Sequence, residues 1–240
     1  MNWDEMADCH GDVHRVPALL ERVERDEDDA EAWDELGYRL LLEEEWVFPA
    51  GFAAFPRLVR LAARSDRARG LAGSIMRCAA GGHGCDDLLA ECAGAITEFR
   101  TLLDRHLRSR PADYLAAYRA LLAVEEEYHW GAVIGDFSDD FYEIDCPHCA
   151  AEVTIAIGGY GRYSAIRDWH LGDVDRRALR PASPDDLSGT GRWMHATAVR
   201  DGRQTLADGI ACLFGQAECP RCASVFTIAD EYAASHRPVM

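Results

Sequence analysis

Two cysteine pairs carry the most chemistry in this sequence. Cys146-Pro147-His148-Cys149 and Cys219-Pro220-Arg221-Cys222 share one spacing, and the likeness continues beyond them: residues 146–156 match residues 219–229 at seven of eleven positions. A Cys-Pro-x-Cys stretch turns tightly enough for both thiolates to reach one ion. Four thiolates in a tetrahedron suit zinc in a closed, structural site. The expectation is therefore one zinc ion held by Cys146, Cys149, Cys219 and Cys222, with each pair feeding a strand of a zinc ribbon. A catalytic zinc keeps an open position for water, and four sulfurs leave none. His148 is not needed as a ligand, because Arg221 holds the matching place in the repeat.

Other groupings carry less. Cys78, His83, Cys85 and Cys92 lie close enough in sequence to raise a second metal site, but Cys92 also belongs to an apolar helical stripe, where a free cysteine is a small core residue. Cys9, His10 and His14 give a weaker version of the same idea. Asp136, Asp139, Asp140, Glu143 and Asp145 lack the alternate-position ligands and central glycine of a calcium loop, so they read as a solvated acidic linker. Gly158-Gly159-Tyr160-Gly161 has neither the Lys-Ser/Thr of a phosphate loop nor the dinucleotide spacing, and reads as a hairpin turn. His170 and His195, near Asp168 and Trp193, have no nucleophile placed for them by sequence.

The elements that must position these residues differ between the two parts of the chain. Over the first 130 residues apolar side chains recur at three and four, which predicts six amphipathic helices. Val16, Leu19, Leu20 and Val23 make the first stripe, with Asp12 as its N-cap. Ala30, Trp33, Leu36, Leu40 and Leu41 follow, entered through the acidic run Asp26 to Asp29. Phe52, Phe55, Leu58, Val59 and Ala62 form the third, and Leu71, Ile75 and Ala79 a short fourth ending at Gly81-Gly82. The longest stripe runs Leu89, Cys92, Ile96, Phe99, Leu103 and Leu107. Pro111 suits the first turn of the last helix, which carries Tyr114, Tyr118, Leu121 and Leu122. Trp46, beside Val47-Phe48-Pro49 in a loop, is the best candidate for an exposed aromatic anchor.

At Gly135 the texture changes. Val153 to Ile157 is a β-branched run, residues 171–190 read as loop, and Trp193–Val199 and Leu206–Phe214 read as helices separated by Gly202. Sixty-nine residues separate Cys149 from Cys219, where a compact ribbon has about 15 to 20, so residues 158–218 read as a helical insertion. The expected organisation is mainly α with a small β part: an acidic helical bundle or HEAT-like stack over residues 1–135, then a zinc ribbon with its insertion over 136–240.

Charge divides along the same line. Residues 1–145 hold 31 acidic side chains against 15 arginines, and the remainder 11 against 10, within a net charge of −17. A field of that sign repels a phosphate backbone and steers a basic protein toward the N-terminal part. Nine cysteines, with no apolar leader-like run in the first 30 residues and no stretch long enough to span a bilayer, point to a cytoplasmic chain whose thiols bind metal or are buried.

Two segments resemble a group of uncharacterised actinobacterial HEAT-repeat-like proteins with a C-terminal zinc ribbon. The first is Ala32-Trp33-Asp34-Glu35-Leu36, then Val47-Phe48-Pro49-Ala50, then Ala54-Phe55-Pro56-Arg57-Leu58-Val59, with Phe48 and Gly51 standing where the group has Tyr and Thr. The second is Leu187-Ser188-Gly189-Thr190-Gly191-Arg192-Trp193, then Leu213-Phe214-Gly215 and Cys219-Pro220-Arg221-Cys222. The resemblance implies a helical protein-binding scaffold and supplies no catalytic residues. The expected function is a non-catalytic zinc-binding interaction module, an adaptor or immunity-like binder of a basic partner. Two alternatives stay open: an enzyme or enzyme accessory with a pocket between insertion and helical domain, and a ribbon that binds nucleic acid through Arg162, Arg176, Arg177, Arg180 and Arg221.

Overall fold

Where each helix begins is set by which oxygen reaches its unpaired N–H groups. In the computed structural model, which describes residues 3, 6–43, 46–79 and 86–235, α1 (Arg15–Arg25) starts at His14 without a side-chain cap. Asp12 does not cap it. The cause lies upstream, where buried Asp8 accepts the backbone N–H groups of His10 and Asp12 and thereby curls residues 8–12 into their own turn. For α2 (Ala30–Leu40) the acidic entry works as the sequence implies, since Asp29 accepts the Ala32 N–H at 3.0 Å.

A short hairpin comes next, β1 (Leu41–Leu42) against β2 (Trp46–Val47), so Trp46 lies on a strand and not in a loop. Then come α3 (Pro49–Ala62) and α4 (Asp66–Cys78), the latter capped by Ser65. The long stripe from Leu89 to Leu107 is two helices, α5 (Asp86–Glu91) and α6 (Ala93–Arg108), parted at Cys92. After them come α7 (Tyr114–Val124) and α8 (Tyr128–Val133). Pro111 lies before α7 and outside its first turn, which opens at Asp113. The count is thus eight helices among the described residues of this part, two more than the stripes predict. Val16, Leu20, Leu36, Phe55, Leu58, Ile75, Phe99 and Tyr118 are fully buried and form its core.

The chain divides into two compact units, Met1–Ile134 and Gly135–Met240. In the second, β3 (Asp139–Asp145), β4 (Glu152–Gly158), β5 (Gly161–Asp168) and β6 (Gly172–Ala178) form one antiparallel meander in that order. The acidic stretch is therefore no linker. Asp139–Asp145 is an edge strand with Asp139, Glu143 and Asp145 outward, Tyr142 and Ile144 inward and Asp140 half-buried, and Asp136, Asp139 and Asp140 organise turns by accepting the N–H groups of Ser138, Tyr160 and Phe137. The 158–218 stretch is likewise not purely helical, since it opens with β5 and β6. These strands escape a hydrophobicity reading because β6 is exposed and charged along most of its length.

Two helices come after the meander, α9 (Gly189–Arg200) and α10 (Gln204–Leu213), joined through Gly202 at φ 70°, and α10 packs on β4. The unit closes with β7 (Gln216–Glu218) paired to β8 (Val225–Thr227), then α11 (Ile228–Ser235) against β3. The Gly-rich segment is the predicted hairpin turn between β4 and β5. Gly158 sits at φ 143°, and a Cβ there would stand 2.2 Å from the Ser138 carbonyl oxygen, so only glycine fits. No helix among the described residues is long and apolar enough to cross a membrane.

Among the described residues of the first unit, Asp8 and Arg39 form the most buried ion pair, at 2.6 Å with both side chains enclosed. Arg39 also donates to the Asp12 carbonyl, and Cys9 N–H donates to the Arg39 carbonyl at 3.0 Å, so the pair straps the N-terminal segment onto α2. Burial alone would push the Asp8 carboxyl up; the Arg39 guanidinium and the two N–H donors outweigh burial and hold it below the usual carboxylate range. With a depressed folded-state pKa, the stabilisation is present above the ordinary aspartate range and fades as pH falls through the lower, folded value. Asp8→Ala should lower the unfolding free energy by about 1.5–3 kcal/mol at neutral pH, because buried Arg39 loses its enclosed partner and keeps only the half-buried Glu35 carboxylate and the Asp12 carbonyl. Adding Arg39→Met should recover most of that loss in denaturant titrations.

Candidate metal centre

β3 runs directly into Cys146, and β4 begins two residues after Ala150. Between them Ala150 N–H donates to the Cys146 carbonyl at 2.8 Å, and Cys146 N–H donates to the Ala151 carbonyl at 2.9 Å. The tight return puts Ala150 at φ 54°, a left-handed conformation that costs a residue with a Cβ some strain. The second turn repeats every part of this. Ala223 N–H donates to the Cys219 carbonyl at 2.9 Å, Cys219 N–H to the Ser224 carbonyl at 2.8 Å, and Ala223 takes φ 59°. The repeat seen in sequence is a repeat in backbone geometry, with matched residues doing matched work.

The two turns face each other. Cys146 Sγ lies 3.8 Å from Cys222 Sγ and Cys149 Sγ lies 3.8 Å from Cys219 Sγ, so each contact crosses from one turn to the other. All four sulfurs lie within 4.8 Å of one another, and this is the one group of metal-ligating side chains of its kind among the described residues. A disulfide needs about 2.05 Å, so these are separate thiols. They can hold a metal ion. Cys146 and Cys219 are buried, Cys149 is half-buried and Cys222 exposed, so the site sits at the surface with its inner edge in the core. His148 and Arg221 are both exposed at the tips of their turns.

What brings the turns together is the sheet beneath them. Ser164 on β5, fully buried, donates its hydroxyl to the Glu218 carbonyl at 2.7 Å, one residue before Cys219. Arg180 and Gln216 exchange backbone bonds at 2.9 Å, which joins the exit of β6 to β7. Gly215 permits this, since a Cβ there would stand 2.4 Å from the Arg180 carbonyl oxygen. The Glu218 carboxylate adds contacts to Arg177 at 3.6 Å and Arg180 at 3.3 Å, but such exposed pairs are each worth under about 1 kcal/mol. The backbone joints set the position. Sequence reasoning misses Ser164 and Glu218, and names Gly215 only within the Leu213-Phe214-Gly215 stretch.

Backbone donors line the sulfurs. The Ser224 hydroxyl and amide pull the Cys222 thiol down to about 6. At Cys149 the Ala151 amide pulls the same way, yet desolvation and the three neighbouring thiols outweigh it and push the thiol up to about 12. Burial likewise raises Cys219 against the Cys222 and Arg221 amides. Four thiolates repel one another at this distance, so all four ionise together only around a cation.

The other candidates fall apart or find structural work. Cys92 donates its thiol to the Phe52 carbonyl at 3.3 Å. That carbonyl lacks its usual helical donor because residue 56 is proline, inside α3. Cys92 is a core residue with its thiol pushed up to about 11 by burial. Cys78 is buried at the end of α4, and His83 and Cys85 lie outside the described residues. His10 packs against Tyr38 in a tilted arrangement, with ring centroids 4.3 Å apart, and His14 stands at the N-cap position of α1. His170 lies in the exposed β5–β6 turn and His195 on α9, and neither joins the cysteine group. Of the arginines that would have to form a nucleic-acid surface, Arg162 stands 3.6 Å from Asp208, Arg177 and Arg180 share Glu218, and Arg176 lies over the Tyr163 ring at 4.3 Å.

In metal-free protein near pH 7, an alkylating reagent should label Cys222 first of the four, since it is exposed and largely thiolate above pH about 6. Ser224→Ala should slow that labelling by removing the strongest donor, and Cys92 should stay unlabelled until the protein unfolds; mass spectrometry of timed digests reads all three. The chain matches no protein-family model, no curated protein and no solved structure, so the role of the site follows from its own geometry.

Proposed function

We propose that the chain is a non-catalytic protein-interaction module, stapled by one structural zinc ion, whose acidic helical unit takes a basic protein partner. The observation that carries this reading is the closed shell of four sulfurs. Ligands about 2.3 Å from a common centre, tetrahedrally arranged, stand about 3.8 Å apart, the separation found for Cys146–Cys222 and Cys149–Cys219. Soft thiolates with that spacing suit zinc, and no position is left for water or substrate. The paired turns, each flanked by two strands, support a zinc ribbon enlarged by β5, β6, α9 and α10. A HEAT-like reading of the first unit is supported by helices adjacent in sequence that pack together: α1 with α2, α3 with α4, and α6 with α7.

With the metal structural, function lies on surfaces, and the charge of the N-terminal part favours a cationic protein over a nucleic acid or an anionic membrane. The arginines of the second unit largely answer its own carboxylates, which supports the same choice.

Purified protein should carry one zinc per chain by elemental analysis, and a chelator should lower its melting temperature. Cys146→Ser with Cys219→Ser should abolish zinc binding and unfold residues 135–240 selectively. Because protons compete with the metal for thiolate, zinc should be released as pH falls. A protein with no stoichiometric metal, or as stable without those cysteines, would overturn the zinc reading. Partner capture that strengthens with rising salt would overturn the electrostatic one.

A further inference from the structure

The outward side of α2 carries Glu31, Asp34 and Tyr38, spaced at three and four along one helix face, all exposed. Immediately after it, Leu42 and Trp46 are direct cross-strand partners on the β1–β2 hairpin. Tyr38 is 65 % exposed, Leu42 40 % and Trp46 49 %, which is unusual for three large apolar side chains within nine residues of a well-packed unit. The neighbours at Trp33, Leu36, Leu40, Leu41 and Val47 are buried, so the hairpin and helix are firmly seated while these three side chains are left outside.

The chain around them is rich in carboxylates, with His10 against the Tyr38 ring. Residues 26–43 hold eight carboxylates and a single arginine, Arg39, which is buried on Asp8. Four of the eight have cations already: Asp29 and Glu31 with Arg22, Glu27 with Arg64, and Glu35 with Arg15 and Arg39. Asp26, Asp28, Asp34 and Glu43 are exposed, with no ion pair among the described residues. An aromatic and leucine surface with such a rim repels anionic headgroups, nucleic acid and a second copy of this chain, whose own charge is −17.

Resting on the basic-partner reading above, we propose that Tyr38, Leu42 and Trp46 are the docking surface for a cationic amphipathic segment of that partner. Its apolar side chains cover Leu42, its lysine or arginine stems lie across the Tyr38 and Trp46 rings, and its charges meet Asp34 and Glu43. Central aromatic contacts of this kind dominate binding, while the carboxylate rim sets encounter rate and salt sensitivity.

The test uses a fluorescein-labelled leucine–lysine amphipathic peptide, a leucine–glutamate counterpart, and the full zinc-loaded chain, read by anisotropy. Wild type should bind the lysine peptide and not the glutamate one, more weakly as salt rises from about 0.05 M to about 0.5 M. Tyr38→Ser with Trp46→Ser should weaken binding about tenfold or more, with an unchanged melting temperature. Tyr160→Ser with Trp169→Ser, aromatics of the other unit that are more exposed still, should leave it unchanged. If wild type binds and the Tyr38/Trp46 variant binds as tightly, the docking surface is wrong while the basic-partner reading stands. If neither peptide binds at low salt, the basic-partner reading itself falls and takes this inference with it. A wild-type dimer in sedimentation that the Tyr38/Trp46 variant dissolves, or Trp46-dependent cosedimentation with phosphatidylserine vesicles, would also overturn the proposal.

Discussion

Four sulfurs from turns 69 residues apart converge to 3.8 Å contacts, and this convergence constrains nearly everything in residues 135–240. Each turn is simple to make: two backbone bonds and one left-handed alanine. Holding the two turns face to face is harder, because the intervening chain has to leave the first, build four strands (β4 to β7) and two helices, and return in register. The return is fixed by the Arg180–Gln216 bridge and by Ser164 on the Glu218 carbonyl. Both are bonds to backbone, so they set position to within the tolerance of a hydrogen bond. The charged contacts to Glu218 lie outside them in solvent and are too weak to do the same.

The repeat also shows where local sequence stops deciding structure. Thr154-Ile155-Ala156 and Thr227-Ile228-Ala229 are identical. The first triplet lies in mid-strand β4, buried on both faces. In the second, Thr227 ends β8 and Ile228 begins α11. The difference comes from the residues just beyond each triplet. Ile157-Gly158 extends the first copy to the hairpin, where β5 gives it a second strand neighbour. Asp230 and Glu231 continue the second copy and place carboxylates in a first helical turn, where the helix dipole favours them. Ile228 and Ala229 are buried in the helix as their counterparts are in the strand.

The parts legible in the sequence are those with strong local patterns: the cysteine turns, the apolar faces of α1 to α4, the Asp29 cap, the β4–β5 hairpin, and the helices on either side of Gly202. The parts that escape it depend on partners distant in the chain. The stripe through Leu89, Cys92 and Ile96 keeps its period across a helix break, so periodicity alone reports one helix. Cys92 is explained only by the proline that orphans the Phe52 carbonyl forty positions earlier. β6 is polar because it is an exposed edge, and charge on an edge strand protects it from pairing with other chains. The acids of β3 look like a linker for the same reason. Asp12 loses the cap position to a contest that Asp8 settles by being buried against Arg39.

Four cysteine sulfurs that can hold a metal ion would, with all four bound, leave a tetrahedral ion no coordination position for water or substrate. The two knuckle tips, His148 and Arg221, are exposed but share no side-chain chemistry, since the repeat puts different residue types at that one matched place. The first unit leaves Tyr38, Leu42 and Trp46 largely exposed on a helix and a hairpin whose sequence is rich in carboxylates. Leaving large apolar side chains in water is unfavourable by about 25 cal/mol for each Å² that burial would remove, and nothing in the packing of α2 or the hairpin requires it. Covering them releases that free energy, and the carboxylates beside them determine the sign of the surface that can do so.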